Sequence, residues 1–171
     1  EKHGLYVRFL PDDTIFEEKV FRFDTLLTRM REQAFLNAGV CIILRDLRGE
    51  EPVEKVLKYD GGIRSFVEYI NKQKHDALVT PEVIYMSAVR DDATAEVAMQ
   101  YNESYTEVLL TFANNINTVE GGTHEVGFKT AITKVLNDYA RKYQLIKESE
   151  KNLSGEDVRE GLCAIVSVKL T

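Results

Sequence analysis

The sequence predicts an α+β fold, a mixed sheet with helices packed on one of its faces. Short runs of β-branched and aromatic residues predict strands, and apolar residues at helical spacing predict helices. The predicted order is strand, helix, two strands, helix, three strands, helix, short helix and strand. Grouped strands and helices in this order are typical of α+β folds.

Length and composition indicate a single globular domain. The chain has 171 residues, of which 44% are hydrophobic and 29% charged. The net charge of −6 argues against a basic surface for nucleic acid, so any DNA contact must be local. Cys41 and Cys163 lie in apolar strand-like runs, which predicts buried free thiols in a reducing cytosol.

The chain shows no sign of membrane insertion or export in its sequence pattern. No apolar run approaches the ~18 residues of a membrane span, and no signal-peptide pattern opens the chain. There is no initiator Met, and strand patterns lie at or beside both ends. We therefore expect a cytoplasmic protein, and a piece of a longer chain.

The first third of the chain predicts strands around one helix. Residues 5–10 form a β-branched and aromatic run that predicts a strand, which a proline ends. From Asp24, a good N-cap residue, apolar residues recur at helical spacing until residues 37–39 end the helix. The apolar run 40–44 predicts a second strand, with residues 53–59 as its partner.

The middle of the chain predicts a second helix and then its most sheet-like part. Residues 60–62 open the helix, and its apolar residues share one face. That face comprises Ile63, Phe66, Val67 and Ile70. Residues 83–90, 96–101 and 105–112 are strand-like runs separated by short turns, which predicts an antiparallel meander.

A long amphipathic run over residues 126–143 predicts the longest helix. Its apolar stripe consists of Phe128, Ile132, Val135, Leu136, Tyr139 and Tyr143. The charged residues 147–152 predict a mobile surface loop. Ser154 and Asp157 then resemble a capping box for a short helix, and residues 163–170 predict the final strand.

The segment 114–128, which precedes and opens the long helix, is the most distinctive part of the sequence. Four residues favour a chain reversal, because positive φ costs them little: Asn114, Asn115, Gly121 and Gly122. Thr118 and Thr123 are both candidate N-caps of the long helix.

Candidate chemistry in this segment is outweighed by simpler roles. The pair Gly121-Gly122 could bind an anion, but the Gly-Lys-Ser/Thr of a phosphate loop does not follow it, so turn geometry is favoured. Thr123, His124 and Glu125 have the residue types of a nucleophile, a base and an orienting acid. Adjacent helical residues point in different directions, so we predict capping and local hydrogen bonding for Thr123 and His124.

Metal and phosphate binding receive little support from residue spacing. The three histidines, His3, His75 and His124, lack the paired spacing of a zinc site. Lys129 lies one turn into the long helix, and Glu125 is its acidic neighbour one turn earlier. A phosphate-facing role and a pairing within the helix both stay open for Lys129.

Several strings together resemble the second, transducer domain of the bacterial DNA gyrase B family. The main ones are residues 120–128 (EGGTHEVGF) and 153–162 (LSGEDVREGL), with weaker matches at 31–37, 59–63, 97–102 and 111–116. The resemblance extends over essentially the whole chain, and residues 2–6 depart from the family pattern. The related topoisomerase IV B subunit shares much of it. Gly127-Phe128 and residues 167–169 favour gyrase.

The resemblance implies a fold and a mechanical role. The family's transducer is an α+β domain with a left-handed βαβ crossover, shared with a small-subunit ribosomal protein and with small-metabolite kinases. In the intact protein, the preceding domain binds ATP and Mg²⁺, and a Gln-Thr-Lys loop expected just beyond Thr171 reaches the γ-phosphate. The resemblance therefore implies one transducer domain over residues 1–171, without the ATP-binding and TOPRIM domains. It implies no catalytic, cofactor or metal residue here, and no ATP hydrolysis by this fragment alone.

The resemblance also implies partners within an ATP-hydrolysing topoisomerase. These are the preceding ATP-binding domain, the gyrase A subunit, a second copy of the gyrase B chain when ATP is bound, and the transported DNA duplex. Lys129 matches a family arginine that faces this DNA, and lysine keeps the charge without the forked phosphate geometry. An intramolecular salt bridge of Lys129 would remove that assignment. The alternatives are a topoisomerase IV B transducer and, more remotely, a small-metabolite kinase or a nucleic-acid-binding domain.

Overall fold

The structure, a computed structural model, describes residues 5–171, so His3 lies outside the described residues. The helices are α1 (Phe23–Leu36), α2 (Ile63–Lys74), α3 (Thr123–Lys142) and α4 (Gly155–Arg159). The strands are β1 (Cys41–Asp46), β2 (Val53–Lys58), β3 (Ile84–Arg90), β4 (Ala93–Tyr101), β5 (Val108–Ala113), β6 (Ile116–Asn117) and β7 (Leu162–Lys169). Within the described part of the chain, no helix has the length and apolar character needed to cross a membrane.

The main sheet has five strands in the order β3-β4-β7-β5-β6, and β1 and β2 form a separate antiparallel hairpin. The sheet is mixed, as predicted, because β7 is antiparallel to β4 and parallel to β5. The meander prediction is right for β3 and β4 and wrong for β5, because β7 lies between β4 and β5. Residues Leu162 to Ser167 are all buried, so β7 suits the centre of the sheet better than β5 does.

Helices cover both faces of this sheet, so the prediction of helices on one face is wrong. Cys163 and Ile165 of β7 pack with α1 and α2 in one hydrophobic cluster. Leu162 and Ala164 pack with α3 and α4 in a second cluster. The physical reason is that successive side chains of a strand point to opposite faces, and β7 is apolar at both sets of positions.

The amino-terminal strand prediction is also wrong. Residues 5–10 are irregular, and the side chains of Leu5 and Leu10 are about nine-tenths exposed. No strand among the described residues pairs with them. Because a strand depends on its hydrogen-bonded neighbour, strand propensity alone does not form one here.

The apolar stripe of α3 is buried only in its first half. Phe128 and Ile132 pack on the second cluster, whereas Val135 and Tyr139 are more than half exposed. In the second half of the helix, the buried residues are Asn137 and Ala140. The segment after α3 folds back onto this side: Leu145 N–H donates to the Ala140 carbonyl, and Leu153 N–H donates to Asn137 Oδ1, both at 2.8 Å.

The two cysteines differ, because Cys163 is buried as predicted and Cys41 is exposed. Burial raises the pKa of the Cys163 thiol to about 11.

We expect a thiol reagent at about pH 8 to modify Cys41 in the folded protein and to leave Cys163 unmodified until denaturant is added. The Cys41→Ser variant, followed by mass spectrometry, is the control. Labelling of the folded variant would contradict this assignment.

Candidate functional site

The signature segment begins as a tight hairpin between β5 and β6. Ala113 pairs with Ile116, and the two residues between them, Asn114 and Asn115, have φ values of 48° and 65°. Positive φ at both central positions is typical of a type I′ turn, for which asparagine is favoured. The predicted chain reversal at the two asparagines is therefore confirmed.

The two asparagine side chains bind different parts of the domain. Asn114 Oδ1 accepts a hydrogen bond from Leu170 N–H at 2.8 Å, just after the end of β7. Asn115 Nδ2 donates to Asn37 Oδ1 at 3.0 Å, just after the end of α1. The Asn115 carbonyl also accepts a bond from Gln33 Nε2 of α1 at 2.8 Å. The turn thus joins β5 to the ends of α1 and β7.

A second network connects β5 to the start of α3. The Thr118 hydroxyl lies 2.9 Å from the Thr111 carbonyl, 2.6 Å from the Thr111 hydroxyl and 3.0 Å from His124 Nε2. Thr111 is buried in β5, so these contacts fix the His124 ring against the sheet edge. Local hydrogen bonding is the role that the sequence predicted for His124, and the structure bears it out.

The glycine pair shapes the approach to α3. Gly121 has φ +78°, and a Cβ at Gly122 would lie 2.7 Å from the His124 ring. Gly122 is the N-cap, and α3 has no side-chain cap, so the predicted caps Thr118 and Thr123 are both wrong. Thr118 is not a cap because its hydroxyl bonds to Thr111 and His124. Thr123 is already the first helical residue.

Lys129 forms an ion pair within its own helix, one of the two roles between which the sequence does not decide. Its Nζ lies 2.6 Å from Glu125 Oε1, and both side chains are partly buried. Lys129 borders an open groove of about 610 Å³ beside α3 and the segment before α4. The groove's other cations are also paired, Lys134 with Asp138 and Arg159 with Glu107. Since its charge is met by Glu125, Lys129 is not retained as a phosphate contact.

The geometry offers no reactive relay at the signature segment. His124 Nε2 bonds to Thr118 and not to its neighbour Thr123, and Glu125 bonds to Lys129. Among residues 5–171, no group of three or more His, Cys, Asp or Glu side chains could hold a metal ion. The contacts of this segment join β5 to α1, to the end of β7 and to the start of α3.

Sequence reasoning missed a buried chain of three amides that connects α2 to β4. Asn71 Nδ2 donates to Gln100 Oε1 at 2.8 Å, and Asn102 Nδ2 donates to Asn71 Oδ1 at 2.9 Å. Gln100 Nε2 in turn donates to the Thr80 carbonyl at 2.9 Å. No spacing in the sequence identifies this network, because Asn71 lies 29 and 31 positions from its two partners.

A second residue that the sequence did not single out, Arg141, makes hydrogen bonds to the loop over residues 147–152. Its guanidinium donates to the Lys147 carbonyl at 2.6 Å, to the Glu150 carbonyl at 2.5 Å and to Asn152 Oδ1 at 2.8 Å. The forked donor geometry of arginine explains how one side chain holds three acceptors.

We expect Arg141→Ala to increase amide exchange across residues 145–152 and to lower the free energy of unfolding by about 1 kcal/mol. Arg141→Lys should recover little, because an ammonium cannot reproduce the fork. Hydrogen exchange with mass spectrometry measures the first effect, and denaturant unfolding measures the second. Lys142→Ala is the matched control. Unchanged loop exchange in Arg141→Ala would show that other contacts order the loop.

The chain is similar to B subunits of DNA gyrase and of DNA topoisomerase 4. The chain is 54% identical over 170 residues to the DNA gyrase B protein of Streptococcus pneumoniae, covering 99% of this chain and 26% of that protein. It is 51% identical over 170 residues to the DNA topoisomerase 4 B protein of Enterococcus faecalis, covering 99% of this chain and 24% of that protein. The chain thus spans about a quarter of these relatives.

The DNA gyrase B family matches residues 62–171, which is more than half of the chain. The chain belongs to the DNA gyrase B family. Its fold also resembles the 43K ATPase domain of Thermus thermophilus gyrase B, with TM-score 0.79, 34% identity, and coverage of 94% of this chain and 43% of that one. The gyrase B protein of Myxococcus xanthus gives TM-score 0.80 and 27% identity, with the same coverage.

Proposed function

We propose that this chain is the transducer segment of an ATP-dependent type IIA DNA topoisomerase, within a gyrase B protein. In this role it relays ATP binding and hydrolysis in a neighbouring domain to movement of the DNA gate. Membership of the gyrase B family and the EGGTHEVGF string at residues 120–128 support the proposal. The chain corresponds to less than half of the gyrase ATPase-domain structure that it resembles, which fits one part of a two-part region.

The observation that carries the proposal is the position of β7. It is the central strand, it is buried on both faces, and it contributes to both hydrophobic clusters. A displacement applied at the end of such a strand moves both helical layers together, because packed cores resist continuous deformation. This rigidity suits a body that nucleotide contacts tilt between two orientations.

In this role, the chemistry lies in parts of the intact protein outside this chain. The preceding domain binds ATP and Mg²⁺, and a lysine-bearing loop after β7 contacts the γ-phosphate. The partners are that domain, the gyrase A subunit, a second copy of the gyrase B chain and the transported DNA duplex. Strands β5 and β7 are parallel neighbours in the sheet, and α3 lies between them in the sequence. We propose that this connection is the left-handed crossover of the transducer family.

The test compares the intact gyrase B protein with and without a non-hydrolysable ATP analogue by hydrogen exchange. We expect changes in the segment that follows β7 and at domain boundaries, with the β7 amides protected equally in both states. Calorimetry of this chain with ATP and with short duplex DNA is the second arm, and we expect no ATP binding. Tight ATP binding by this chain alone would replace the proposal with the small-metabolite kinase alternative.

The second candidate is a topoisomerase IV B protein. It is favoured by the 51% identity to that protein of Enterococcus faecalis, which also has a gyrase B protein that is 51% identical. The intact protein, assembled with its A-type partner, distinguishes the two. Introduction of negative supercoils identifies gyrase, and decatenation without supercoiling identifies topoisomerase IV.

A further inference from the structure

The side chains of the turn residues Asn114 and Asn115 bind different parts of the domain, and one accepts a hydrogen bond whereas the other donates one. Asn114 uses its side-chain oxygen as an acceptor for Leu170 N–H. Asn115 uses its side-chain N–H as a donor to Asn37. The neighbouring hydrogen bonds fix the orientation of the Asn115 amide. Asn37 Nδ2 already donates to the Gln33 carbonyl at 2.8 Å, which leaves Asn37 Oδ1 to accept from Asn115.

Backbone contacts strengthen both attachments. Asn114 N–H donates to the Val168 carbonyl at 2.8 Å, so Asn114 contacts the last part of β7 through backbone and side chain. On the other side, the Asn115 carbonyl accepts from Gln33 of α1. Two consecutive residues therefore connect the end of the central strand to the end of the first helix.

We propose that Asn114 and Asn115 form an asparagine clamp, a positioning element that sets the direction in which the chain leaves β7 relative to α1. The inference rests on the proposed function, in which the segment after β7 contacts the nucleotide. The clamp transmits the tilt of that segment to the layer containing α1 and α2. Without it, nucleotide binding still occurs, but less of the movement reaches the rest of the domain.

The two hydrogen-bonding roles give different substitution rules at adjacent positions. Asn114→Asp keeps an acceptor for Leu170 N–H, whereas Asn114→Gly removes it and still allows positive φ. Asn115→Asp removes the donor and places an acceptor opposite Asn37 Oδ1. Aspartate is thus tolerated at position 114 and harmful at 115, although both residues lie in the left-handed region.

The matched control is Asp91→Gly in the hairpin between β3 and β4. Asp91 also has positive φ, 52°, and its side chain is almost fully exposed. This variant changes a turn residue of the same backbone class without touching the ends of α1 or β7.

The experiment uses the full-length gyrase B protein in complex with its A-type partner. It measures ATP-dependent strand passage per ATP hydrolysed, together with amide exchange at Leu170. In Asn114→Gly and Asn115→Asp, we expect passage per ATP to fall by about fivefold, the factor that one typical hydrogen bond contributes to an equilibrium. Leu170 exchange should increase in Asn114→Gly. Asn114→Asp and Asp91→Gly should behave like the parent protein in both measurements.

Three results would overturn the clamp. The first is equal loss in Asn114→Gly and Asn114→Asp, and the second is loss of activity in Asn114→Gly without faster exchange at Leu170. The third is a fall in ATP hydrolysis that matches the fall in passage, which indicates a general structural defect. Failure of the proposed function gives a different result from failure of the clamp. The parent protein would then show no nucleotide-dependent strand passage, while amide exchange at Leu170 would still report on the clamp.

Discussion

Replacing Phe35 with alanine is expected to lower the free energy of unfolding by about 3–5 kcal/mol, the largest effect of any substitution considered. Phe35 is fully buried, with 0% exposure. Its ring stacks on Tyr59 at 3.7 Å and on Phe66 at 4.5 Å between centroids. It therefore fills space between α1, α2 and the segment after β2, and three elements would have to move to close the cavity.

Denaturant unfolding of Phe35→Ala measures this loss, and Phe16→Ala is the control. The Phe16 side chain is about half exposed, so its removal should change stability by roughly 0.5 kcal/mol or less. In thermal unfolding, each kcal/mol corresponds to about 2–4 °C for a chain of this size. A loss below about 1 kcal/mol in Phe35→Ala would mean that the aromatic cluster repacks without a cavity.

Gly161→Ala is expected to give the second largest loss, about 2–5 kcal/mol, as the sum of a conformational and a steric cost. Gly161 has φ +69°, where an alanine costs about 1–2 kcal/mol. An added Cβ would also lie 2.3 Å from the Asn102 carbonyl oxygen and 2.9 Å from the Ser104 carbonyl oxygen. Both are backbone atoms, so the chain itself must shift, at a cost of about 1–3 kcal/mol.

Gly39→Ala separates the two contributions to the Gly161 effect. Gly39 has φ +82°, and an added Cβ would meet nothing within 4 Å. This variant should lose only the conformational part, so the difference between the two variants, measured by denaturant unfolding, gives the steric part. Equal losses would show that the contact with Asn102 and Ser104 relaxes freely.

Local sequence signals predicted most of the elements. The capping box at Ser154 and Asp157 is present in the structure. The helix predicted from Asp24 forms, although it begins at Phe23 and Asp24 lies in its first turn. Asn114 and Asn115 were found because asparagine is favoured at positive φ, a preference of the residue itself.

Long-range pairing was not predictable from the same signals. The insertion of β7 between β4 and β5 depends on pairs of residues about 55 to 75 positions apart, and the sequential meander is the simpler expectation. The sequence does not decide the role of Lys129, because helical periodicity places Glu125 near it without showing whether the two side chains bond. The partners of Asn114 and Asn115 lie 56 and 78 residues away, so no local pattern reveals them.

The sequence by itself determined the α+β class, the amphipathic helices, the turn at Asn114-Asn115 and the family resemblance, because each depends on residues close together in the chain. Only the tertiary structure decided which strand is central, which faces are covered, and what the two asparagines hold. The physical reason is that a buried strand, an ion pair or a side-chain bond is defined by its partner, and here the partners come from distant parts of the chain.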